Sequence, residues 1–132
     1  ALLRDYVDIV FANEDEAREF CVGQGKAFTP EAAAEALGEL CPVVAIKLGK
    51  EGSIIRREGV SCRVGAELVK AVDTTGAGDL WQAGFLYGYS NGKSPEACAK
   101  MGAILGAEVV QVLGASIPAD RWIEIKKRFS SL

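Results

Sequence analysis

Apolar residues gather in two short β-rich stretches, VDIVFAN at 7–13 and PVVAIKLG at 42–49, each of the length and composition of a buried parallel strand. Between them the pattern changes period. EDEAREFCVG (14–23) predicts a helix with acidic residues in its first turn and Gly23 near its stop. Thr29-Pro30 supplies an N-cap and a proline at the first helical position, opening a second helix to about Leu40. Strand, helical crossover and strand together predict a right-handed parallel unit. LLRDY, directly after Ala1, reads as the end of a helix.

The pattern changes again after residue 50. Ser53–Arg57 and Val60–Val64 flank Glu58-Gly59, an acidic-Gly hairpin signal. Val69 to Val72 read as the end of a strand or an extended arm. Three helices follow, at about 77–90, 95–113 and 118–130, with Ser94-Pro95 capping the second and Pro118 at the start of the third. No repeat, low-complexity tract or linker interrupts the chain, so no domain boundary is expected inside it. The fold class is α/β: a parallel-sheet α/β/α sandwich with a small β-hairpin and three C-terminal helices.

Composition narrows the chemistry. The 132 residues are 49% hydrophobic and 25% charged with a net charge of −3, values ordinary for a soluble globular protein. The acidic balance argues against a nucleic-acid partner, and Lys126-Lys127-Arg128 suits the solvated end of a terminal helix. No apolar run approaches the ~20 residues a membrane span needs. The four cysteines form no C-x-x-C pair and histidine is absent, which excludes a Cys/His zinc site and histidine-based triads within this segment. Unpaired, mostly buried thiols suggest a reducing cytoplasm. The start at Ala1 without a methionine reads as a chain whose N-terminal portion is missing.

One stretch stands apart: AVDTTGAGDLWQAGF, residues 71–85. It places Gly76, Ala77 and Gly78 at a predicted helix N-terminus, where unpaired amides and the helix dipole favour an anion. Gly84 and Gly88, one turn apart, thin one face of that helix for close packing. A bare anion cradle gains nothing from the fixed charge of Asp79. The carboxylate makes sense if a hydroxyl must lose its proton beside a phosphoryl group in transit. Taken singly, an acid in a first helical turn only complements the dipole, and Gly-x-Gly only makes a turn. No Walker loop is present, and Trp81 stands where a dinucleotide fingerprint needs its third glycine.

DTTGAGD followed by AGFL, at 73–79 and 83–86, resembles the C-terminal signature of the PfkB (ribokinase-like) carbohydrate kinases. Asn13-Glu14-Asp15-Glu16 resembles the family's N-x-x-E motif. Ile46 to Gly52 resembles its T-L-G-x-x-G loop, with Lys47 where the family has threonine. The resemblance spans essentially all of residues 1–132, as the C-terminal nucleotide-binding and catalytic portion of such a kinase, the N-terminal substrate and lid portion lying outside the chain.

The resemblance implies ATP-dependent transfer of the γ-phosphoryl to a hydroxymethyl group of a sugar or nucleoside. It makes Asp79 the general base and the amides of Gly76, Ala77 and Gly78 the anion hole. Asn13 and Glu16 would act near Mg²⁺ and the phosphates, Glu16 through water. Lys47, Gly49, Gly52 and the helix around Gly102 would line the nucleotide site. Many members bind a monovalent cation (K⁺) beside the anion hole. Asp73, Thr75, Gly114 and Ser116 fall where its ligands would be, although the loop after Gly114 is shorter here. EVVQVLGASIPADRW and FLYGYSNGKS look most like the bacterial adenosine-kinase-type branch. A homodimer of the full-length protein is also in keeping with the family. The competing expectation is a nucleotide-binding regulatory lobe without catalysis, although such a lobe has no need of Asp79.

Overall fold

A computed structural model describes residues 2–132, which pack as two compact units where the sequence shows no linker: one ends at Gly65, and the other runs Ala66–Leu132.

The first unit holds α1 (Leu2–Tyr6), β1 (Ile9–Asn13), α2 (Glu14–Gly23), α3 (Pro30–Gly38), β2 (Val43–Lys47), β3 (Ser53–Arg57) and β4 (Val60–Val64). Its sheet has the order β1-β2-β3-β4, with β1 and β2 parallel and the later pairs antiparallel. The expected parallel unit is therefore present, but the sheet as a whole is mixed. The hairpin extends the same sheet because Glu58-Gly59 turns the chain straight back onto it. Both turn residues have positive φ (51° and 78°), as a two-residue hairpin loop requires. Val43 to Ile46 are all buried. On one side of the sheet, Val44, Ile46 and Ile54 join Ala17 and Cys21 of α2 and Ala33, Ala34 and Leu37 of α3 in a single apolar core. The alanines let α3 lie close to the strands, and Thr29 accepts from the Ala32 amide at 3.0 Å to start it.

The second unit is helical: α4 (Ala77–Ser90), α5 (Pro95–Val110) and α6 (Ala119–Ser130). Residues 66–76 precede α4 without regular structure, so the Val69–Val72 segment is an arm rather than a strand. Ile104, Leu105, Val109, Ile117 and Ile125 form the core, with Leu80, Trp122 and Phe129 packed against it. Helices α4 and α5 touch backbone to backbone. A Cβ on Gly84 would lie 2.5 Å from the Met101 carbonyl oxygen, and one on Gly102 2.7 Å from that of Trp81. Glu108 of α5, only 7% exposed, is held bidentately by Arg121 of α6 at 2.8 and 2.9 Å, so its buried charge is paired. That pair raises the Arg121 pKa further, first through the hydrogen bonds and then through the charge of Glu108.

Cys21, Cys41 and Cys98 are buried, Cys62 is half-buried, and all four are free thiols. Among the described residues no helix is long and apolar enough to cross a membrane.

Candidate active site

In the first unit the sequence motifs meet at one end of the sheet. Asn13 and Lys47 are register partners at the carboxyl ends of β1 and β2, the edge at which open α/β sheets bind ligands. Asn13 is also the N-cap of α2. Its Oδ1 accepts from the Glu16 amide at 2.8 Å, while the Asn13 amide donates to Glu16 Oε2 at 2.9 Å. This reciprocal capping box explains the N-x-x-E spacing on local grounds. It also fixes the Glu16 carboxylate, leaving Oε1 and the Asn13 side-chain NH₂ without a hydrogen-bond partner among the described residues.

Gly49 and Gly52 bracket a single 3₁₀ turn leaving β2, closed by the Gly52 amide donating to the Gly49 carbonyl at 3.1 Å. Gly52 is sterically obligatory: its φ is 89°, and a Cβ would lie 1.9 Å from the Val64 carbonyl oxygen. Backbone packing alone therefore requires this glycine, whatever else the loop does.

In the second unit the residues of the 73–79 turn converge. Gly76 is the N-cap of α4 at φ 78°, ψ 0°, a left-handed conformation that glycine adopts without steric cost. Of the amides expected to hold an anion, that of Ala77 already donates to the Thr74 carbonyl at 3.2 Å. Those of Gly76, Gly78 and Asp79 donate to no acceptor among the described residues. The open donors thus keep Gly76 and Gly78 of the expected trio, with the Asp79 amide open in place of that of Ala77. Asp79 lies in the first turn of α4 and is exposed.

Asp73, at the start of the same turn, is an acceptor of three hydrogen bonds. Its Oδ1 accepts from the Thr75 amide at 2.9 Å and the Thr75 hydroxyl at 2.7 Å, and its Oδ2 accepts from the Gly114 amide at 3.0 Å. These bonds favour the ionised form and hold the pKa below the usual aspartate value, the Thr75 hydroxyl contributing most, then the Gly114 and Thr75 amides. A depressed acid contributes above its unfolded pKa, and the contribution is lost as pH falls through the lower folded value. The Gly114 and Thr75 amide resonances are therefore expected to titrate together at a pH below that of an ordinary aspartate. A midpoint at or above the ordinary value would contradict these bonds.

Ser116 lies exposed in the same loop as Gly114. Gly102 stands apart from the turn, buried midway along α5 against Trp81, so its observed role is helix packing. Sequence reasoning missed Ala115, which sits where a Cβ on Gly76 would come within 2.7 Å of its own Cβ. It also missed Glu108, whose signal was a charge in the apolar run of α5.

Residues 1–122 match the family described as pfkB family carbohydrate kinase. A nucleoside kinase of Methanothermobacter thermautotrophicus is 32% identical over 125 residues, covering 94% of this chain and 38% of that protein. Among solved structures, adenosine kinase from Sinorhizobium meliloti matches with a TM-score of 0.83 at 39% identity, over 96% of this chain and 38% of that one. Ribokinase from Thermotoga maritima matches with a TM-score of 0.82 at 34% identity, over 99% of this chain and 44% of that one. The chain thus spans well under half the length of these relatives.

Proposed function

Since the chain belongs to the pfkB family of carbohydrate kinases, we propose that the protein it represents transfers the γ-phosphoryl group of ATP to a hydroxyl of a nucleoside or sugar. The observation that carries this reading is the 76–79 turn. It places amides without acceptors among the described residues beside an exposed carboxylate, within a chain of that family.

In this reading Asp79 accepts the proton of the attacking hydroxyl. The amides of Gly76, Gly78 and Asp79 hold the charge that develops on the transferring group, in a geometry the left-handed Gly76 sets in advance. The glycine turn after β2 serves the nucleotide, with Lys47 beside it. A divalent cation such as Mg²⁺ keeps several waters and takes one or two carboxylates, which suits the single outward Oε1 of Glu16. When bound, ATP supplies the phosphoryl group and the cation neutralises charge between its phosphates. A monovalent cation beside the turn would draw on Asp73, Thr75, Gly114 and Ser116. Three donors already occupy the Asp73 carboxylate, leaving it about one free lone-pair position on Oδ2.

Likeness to both an adenosine kinase and a ribokinase supports the acceptor class, and the resemblance of the 108–122 and 85–94 segments to the adenosine-kinase-type branch favours a nucleoside. The test is a panel of adenosine, other nucleosides, ribose and fructose with ATP and the full-length protein. Turnover is expected with adenosine first. Absence of turnover with every nucleoside and sugar would overturn the reading.

A further inference from the structure

Two segments far apart in sequence are clasped together beside the turn. The Val110 carbonyl, at the end of α5, accepts from both the Val72 amide (2.7 Å) and the Asp73 amide (3.1 Å). Four residues on, the Gly114 amide donates to Asp73 Oδ2 at 3.0 Å, across 41 residues of sequence. One residue further, Ala115 fills the space above Gly76, the left-handed cap of α4. Leu113 to Ser116 are exposed, and the chain is anchored in the core again only at Ile117. Packing does not fix this loop, so its position depends on Asp73 and on the Gly76–Ala115 contact.

Asp73 also shapes its own side of the turn. Its Oδ1 takes both donors of Thr75, which bends the backbone so that Thr74 can close onto the Ala77 amide at 3.2 Å. One carboxylate therefore governs both the path of residues 73–77 and the loop that lies against Gly76.

We infer that Asp73 is a positioning residue for the anion turn: its carboxylate clasps the loop after α5 to the segment before α4 and so sets where the open amides of Gly76 and Gly78 stand. The inference rests on the proposed kinase reading for its functional consequence, but not for the clasp itself. Misplacing a donor by about 1 Å costs up to about a hundredfold in rate. Substrate binding that does not use these amides is unaffected.

The test uses full-length protein in tetramethylammonium buffer free of potassium and sodium, so that loss of a bound monovalent cation cannot produce the result. In Asp73→Ala, the amides of Thr75 and Gly114 are expected to exchange with solvent about tenfold faster or more, those of Cys98–Leu105 being unchanged. The kcat is expected to fall about ten- to a hundredfold, with KM for ATP within about twofold of the wild type. Thr75→Val, which removes one donor, should give a smaller loss of the same kind, and Thr75→Ser should restore both readouts. If Asp73→Ala does not fold, Thr75→Val and Thr75→Ser carry the same comparison. Unchanged exchange at Thr75 and Gly114 would overturn the clasp. Faster exchange with unaltered kcat would overturn its positioning role. If the wild type transfers no phosphoryl group either in this buffer or with potassium restored, the kinase reading fails, and the exchange measurement still decides the clasp.

Discussion

Asp79→Asn in the full-length protein is expected to lower kcat by about a thousandfold, the middle of the range for loss of a general base. Asparagine keeps the size and the outward position of the side chain in the first turn of α4, but it cannot take a proton at neutral pH. ATP affinity is expected to stay within about threefold, because the amides of Gly76, Gly78 and residue 79 itself remain in place. The purely local role of Asp79, matching the helix dipole, is worth no more than about 1 kcal/mol of stability. The two roles therefore separate cleanly. Steady-state kinetics beside a denaturant titration would show a large catalytic loss with little change in stability. Turnover within about tenfold of wild type would remove Asp79 as the base.

The largest stability effect is expected at the crossing of α4 and α5. Gly84→Val would drive a branched side chain into backbone: the space its Cβ would occupy is 2.5 Å from the Met101 carbonyl oxygen, 2.8 Å from its carbonyl carbon and 2.9 Å from Gly102 Cα. Backbone atoms on a packed helix cannot rotate aside, so the helices must separate, at a cost of about 3 kcal/mol. Gly88→Ala is the control. Its new Cβ meets the Met101 and Cys98 sulfurs and Cys98 Cα at 3.0–3.1 Å, contacts eased by small shifts, and helix propensity offsets part of the strain. A change within about 1 kcal/mol is expected there. Equal losses in the two variants, read from denaturation midpoints, would show that close approach at Gly84 is not what holds the helices.

Local chemistry made much of this legible before the structure. Thr29-Pro30 and Ser94-Pro95 each start a helix where the cap rules put it, and Glu58-Gly59 turns the hairpin at the expected residues. The departures arise from contacts between distant residues. Helix α5 ends at Val110 rather than 113 because the Val110 carbonyl is taken by the 72–73 amides. Strand β2 ends at Lys47 because Gly49 adopts a positive φ of 58° and opens a 3₁₀ turn.

The site shows the same division. The glycines and Asp79 can be read from their spacing at a helix start, whereas the Thr74–Ala77 bond that removes one amide from the open set needs the backbone path. Asp73 makes a local Asx turn with Thr75, a habit of its residue type. Its second oxygen reaches Gly114, and no sequence pattern announces a partner 41 residues away. The N-x-x-E motif proved locally self-sufficient as a capping box, so its spacing alone does not distinguish a helix start from a metal-side carboxylate.

Phosphoryl transfer to an alcohol is observed directly by ³¹P NMR of the full-length protein with ATP, Mg²⁺ and adenosine. The γ-phosphate resonance of ATP is expected to decline as a phosphate-monoester resonance grows in equal amount, in the wild type and about a thousandfold more slowly in Asp79→Asn. Growth of inorganic phosphate alone, or the same monoester rate in both proteins, would contradict it.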